Sequence, residues 1–129
     1  MNDTKWHQLI ESIQGDDIER MVEASEHLYK EAEDSDVPRL LKLLEDDSFV
    51  VREAAAWPLA SVGGADALPA LFLAYKRGFD EGLDNDGFTT ALIELVELNR
   101  GSCSSRLVEL QGSSNPDFRR YATWLLEFC

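Results

Sequence analysis

Apolar residues recur along this chain at steps of three and four, and the stripes they form are interrupted by short acidic or glycine-containing stretches. Trp6, Leu9, Ile10 and Ile13 make the first stripe, with Asp3 or Thr4 as a candidate N-cap and Gly15 as the stop. Asp16-Asp17 opens a second helix that runs to about Ala32, with Ile18, Met21, Val22, Ser25, Leu28 and Tyr29 on one side. Val37, Leu40, Leu41 and Leu44 follow, and across Asp46-Asp47-Ser48 come Val51, Ala54, Ala55, Pro58, Leu59 and Val62. Further helical periods span about 67–77, 88–99, 103–111 and 116 to the end, and no segment reads convincingly as a strand. The pattern predicts an all-α fold.

The segment from Asp36 to Gly64 is the one the others vary. Each of its two helices carries one apolar stripe and cannot bury it alone, so they are expected to pack antiparallel across the acidic turn and leave surface for a neighbouring pair. Leu68-Pro69-Ala70-Leu71-Phe72 overlays Val37-Pro38-Arg39-Leu40-Leu41, and Phe118-Arg119 with Ala122-Thr123 overlays Val51-Arg52 with Ala55-Ala56. The third pair departs from this register. About six extra residues are expected between its helices, within Gly78 to Gly87, with Asp86 as the cap of the helix that follows. Pro58 lies inside a helix, where it removes one hydrogen bond and crowds the Ala54 carbonyl, so a kink is expected there.

Pro38, Asp46, Val51-Arg52, Ala55-Ala56, Leu59 and Val62-Gly63 together resemble a HEAT repeat. The resemblance implies a short α-solenoid of about four antiparallel helix pairs, near 3–33, 36–63, 66–100 and 103–128, forming one domain over 1–129. The second helices would line a concave surface. It implies recognition or scaffolding rather than a particular chemistry. Asp46 and Arg52 are expected to join turn to helix by charge-assisted hydrogen bonds, and with Pro38, Ala55 and Ala56 they are assigned to structure.

Charge adds a sign to that surface. The 129 residues hold 25 acidic and 12 basic side chains, a formal net charge of -13. Residues 1–47 hold 14 acidic against 5 basic, a balance of -9, and residues 48–129 hold 11 against 7, a balance of -4. Such a field repels nucleic acid and anionic membrane surfaces and attracts basic proteins. No signal-peptide pattern opens the chain and no apolar run would span a bilayer, so a cytoplasmic location is expected.

Little in the sequence points to catalysis. His7 and His27 are isolated, and no HExxH, phosphate-binding glycine loop or nucleophile elbow is present. Cys103 and Cys129 form neither a disulfide framework nor a zinc pattern. The acidic stretch around Asp84 and Asp86 fails as an EF-hand: with these residues at the third and fifth ligand positions, Gly82 falls at the first and Ile93 at the twelfth. No metal, cofactor or catalytic residue is assigned.

The expectation is therefore a protein-binding module for a basic partner, such as an acidic inhibitor or immunity-type protein that neutralises a cationic toxin or nuclease, with association sped by electrostatic steering. Glu19, Glu23 and Glu26 on one helix, with Trp57, Asp80, Glu81, Asp84 and Asp86, are the candidate partner-facing residues. Two alternatives follow from the resemblance: an assembly factor similar to phycobilin lyases, and a DNA glycosylase, which the charge opposes because such enzymes need a basic groove. Exposed stripes at the ends of the array leave the oligomeric state open.

Overall fold

The computed structural model describes residues 1–129 and contains helices and no strand. Eight α-helices follow in order: α1 (Asp3–Gln14), α2 (Ile18–Glu31), α3 (Val37–Leu43), α4 (Phe49–Val62), α5 (Leu68–Asp80), α6 (Asp86–Leu98), α7 (Arg100–Gln111) and α8 (Pro116–Leu125). Short 3-10 turns precede α3 and α5 and follow α8.

Local chemistry sets the boundaries. Asn2, not Asp3 or Thr4, caps α1 by accepting from the Lys5 N–H at 2.8 Å, and Asp17 caps α2 by accepting from the Arg20 N–H at 3.2 Å. Asn115 accepts from the N–H groups of Asp117 and Phe118, and Pro116 at the first position of α8 already has a helical φ. The helix α5 continues through Gly78, Phe79 and Asp80, so part of the expected inter-helix insertion is helical and the connection shrinks to 81–85.

That short connection is fastened from within. Asn85 is buried, and its Nδ2 donates to the Tyr75 carbonyl at 2.7 Å. A Cβ at Gly78 would lie 2.2 Å from Asn85 Oδ1, so only glycine admits this side chain against α5. Asp86 is the first residue of α6 and does not cap it. The Asp84 carboxylate accepts the Asp86 N–H at 2.9 Å instead.

The helix α4 lies at the centre and touches α1, α2, α3, α5 and α6. Its buried Ala54, Ala55, Ala56 and Ala60 leave room for neighbours on several sides, and Val51 and Leu59 fill the spaces between them. Helices α1 and α2, α3 and α4, and α7 and α8 pack as sequence neighbours, while α2 packs on α4 and α4 on α6 across the chain. An aromatic group of Phe72, Tyr75, Phe118, Tyr121 and Trp124 ties α5 to α8, with Phe72 and Tyr121 rings 5.5 Å apart, edge to face.

Two charged networks hold the turns. Arg52 is fully buried, and its Nη1 donates to the Asp46 and Asp47 carbonyls at 2.9 and 3.0 Å. Its Nη2 pairs with Glu81, which also pairs with Arg77 at 3.0 Å. The expected carboxylate partner is therefore replaced: Asp46 uses its carboxylate to accept the Ser48 N–H at 2.8 Å, because its main chain already faces the guanidinium. At the other turn, buried Asp36 accepts from the Glu33 N–H at 2.8 Å and from Arg39 at 2.7 Å, with the Met1 ammonium 3.4 Å away.

A candidate binding groove across three helices

The arrangement of α2 beside α4 and α4 beside α6 creates an open groove of about 1070 Å³. Met21 and Val22 come from α2, Phe49, Val50, Ala54 and Trp57 from α4, and Ile93 and Leu98 from α6. Three of these apolar groups remain markedly open to water: Val22 is 51% exposed, Val50 40% and Leu98 60%. Apolar side chains spread over three elements on one concave face are the usual mark of a binding surface.

The charges on this face are almost all of one sign. Glu26, Glu53, Glu94 and Glu97 line it against a single cation, Lys30. A smaller cavity of about 580 Å³ between α3 and α5 is mixed, with Lys42 and Arg77 beside Glu45. Negative charge combined with apolar area is thus a property of the α2, α4 and α6 face among these two cavities.

Within the groove the polar groups are fixed. The Tyr29 hydroxyl donates to Glu94 Oε1 at 2.8 Å, linking α2 to α6 over α4, and the Tyr29 and Trp57 rings meet edge to face at 6.3 Å. The Glu94 carboxylate thereby raises the Tyr29 hydroxyl pKa, since the phenol must give up a hydrogen bond to ionise. The other carboxylate oxygen, Glu94 Oε2, is shielded from water and has no donor. Glu53 is half-buried; burial raises its carboxyl above the ordinary range, and the nearby Asp84 charge adds to the effect. It sits against the start of α6, where a Cβ at Gly87 would lie 2.8 Å from Glu53 Cδ.

The sequence-derived candidates separate into three places. Glu26 and Trp57 lie in the groove. Glu19 and Glu23 are exposed on α2 but do not line it, and Asp84 and Asp86 are exposed near its Glu53 end. Asp80 and Glu81 are exposed at the end of α5 and form ion pairs within the chain, Asp80 with Lys76 and Glu81 with Arg52 and Arg77. Tyr29, Glu53, Glu94 and Glu97 were absent from the sequence-based set: Tyr29 read as one member of an apolar stripe, and each glutamate only as an acidic residue next to one.

Groups associated with catalysis are sparse. His7 and His27 are exposed, and no cluster of three or more His, Cys, Asp or Glu is placed to hold a metal ion. Burial pushes the Cys103 thiol up to about 11, which leaves it protonated and poorly nucleophilic near neutrality. No helix is long and apolar enough to cross a membrane. Comparison with protein-family models, with curated proteins and with solved structures finds no match.

Proposed function

We propose that this chain is a non-enzymatic protein-binding module, a short HEAT-like α-solenoid whose second helices α2, α4 and α6 present an acidic, partly apolar groove to a basic partner. Serial packing of α2 on α4 and α4 on α6, each second helix backed by the helix before it, supports the solenoid reading. The observation that carries the function is the lining itself: four glutamates against one lysine, interleaved with exposed Val22, Val50 and Leu98. An inhibitor or immunity-type role against a cationic toxin or nuclease fits that surface and the net charge of -13, since long-range attraction speeds capture and apolar contacts slow release.

The test is capture at low ionic strength from the source cells, elution with salt, and mass spectrometry of the eluate. A basic protein is expected, retained by the wild type and lost from a Glu26→Lys, Glu97→Lys double variant that keeps its helical circular dichroism. Recovery of no basic protein, or equal retention by the double variant, overturns the reading.

A further inference from the structure

We infer that the occupant of the groove is an amphipathic α-helix of the partner, about three turns long, which lays its apolar face on Val22, Val50, Trp57 and Leu98 and places a Lys or Arg against Glu94. The inference rests on the binding-module reading and specifies the partner's form and chemistry.

Backbone bookkeeping favours a helix over an extended peptide. The groove is walled by three helices whose interior backbone groups are spent on their own ladders, and there is no strand edge for an extended peptide to join. An extended segment in this apolar trough would bury N–H and C=O groups without partners, whereas a helix brings its own. The dimensions agree. The lining runs from Met21 to Lys30 on α2 and from Thr90 to Leu98 on α6, about 12–14 Å along the axes at 1.5 Å per residue. Crossing three helices spaced 8–10 Å apart takes roughly 16–20 Å, the length of about 12 helical residues.

The cation is placed by Glu94. One of its oxygens is held by the Tyr29 hydroxyl at 2.8 Å, and the other is out of water with no donor, at the wall of a groove otherwise rich in carboxylates. That oxygen is covered in the free protein, so a partner ammonium or guanidinium meets it once the Glu94 carboxylate turns toward the groove, and then supplies the missing donor through a charge-assisted bond. Glu97, one turn further along α6 on the same face and exposed, extends the complementarity to a second basic residue one turn along the partner helix.

A displayed library of random 16-residue peptides, selected on the full-length protein at low salt, tests this directly. Enriched peptides are expected to carry Lys or Arg three or four positions from Leu, Ile, Phe or Met, and a selected peptide, isotopically labelled, should give helical carbon chemical shifts when bound. Glu94→Gln preserves an acceptor for Tyr29 and should weaken binding at least tenfold. Glu97→Lys, at an exposed position that cannot disturb the core, should weaken it as well and guards against a Glu94→Gln variant that fails to fold. No enrichment, enriched peptides without basic residues, an extended bound form, or indifference to both variants overturns the inference. If a salt-eluted basic protein is captured as described above while selected peptides bind extended, the helix falls and the binding module stands; if neither binds, both fall.

Discussion

Glu53 is half-buried and Asp36 buried, and their environments push the two carboxylates in opposite directions. Burial, with help from Asp84, keeps the proton on Glu53 to higher pH than in the unfolded chain, where glutamate titrates near 4.5. Between those two values the native state holds more protons, so stability falls as pH rises through the window. Glu53→Gln should therefore melt higher than the wild type at neutral pH and lose that advantage in acid; thermal melts that give a constant difference would contradict it. For Asp36 burial acts to raise the carboxyl, but the Glu33 N–H, the Arg39 guanidinium and the Met1 ammonium outweigh it and hold it below 3.8. That contribution is complete above 3.8 and disappears as pH falls through the lower native value. Asp36→Asn should cost about 3 kcal/mol at neutral pH, as expected for one half of a buried charged network, and urea titrations should show the gap closing in strong acid.

At the scale of elements, the Arg52 network decides how the connection before α4 and the end of α5 are joined. Arg52→Ala leaves the Asp47 carbonyl without a donor and the Asp46 carbonyl and Glu81 with Arg77 alone, and a loss of about 3 kcal/mol is expected in denaturant melts. Asp46→Ala forfeits only the Ser48 contact and should cost about 1 kcal/mol. Equal losses would restore the Asp46 carboxylate as the partner of Arg52. The helices themselves were legible in the chain because their apolar periods are local, although the caps of α1 and α6 fall one residue from those expected. The rotation of α2 was not. Ile18 and Val22 belong to the same apolar stripe as Leu28, but α2 has two neighbours, α1 and α4, and buries Ala24 and Leu28 between them while Ile18 and Val22 stay exposed. A stripe that serves both core and groove reads as core. Glu53, Glu94 and Glu97 escaped notice for a related reason: no pattern within one helix reveals that three helices distant in sequence turn glutamates to one place.

For the whole molecule, the charge acts at two ranges. Glu26 lies in the groove while Glu19 and Glu23 lie on α2 outside it, although all three share one side of the sequence pattern. Glu26→Lys should slow association and speed dissociation of a basic partner. Glu19→Lys with Glu23→Lys should alter only association, with the effect fading as salt shortens the Debye length. Stopped-flow and surface-binding kinetics at several ionic strengths would separate the two, and a matching effect on dissociation from both variants would place Glu19 and Glu23 at the contact.

The placement of the three indoles has a practical consequence. Trp6 is buried beneath Arg39, with the guanidinium carbon 4.2 Å from its ring, and Trp124 stacks on Tyr75 at 6.1 Å. Neither lines the groove; Trp57 does. The unlabelled protein thus carries its own optical gauge of occupancy: covering the groove should shift or quench one emitter of three, and a Trp57→Phe protein, with the other two intact, should be blind to the same event.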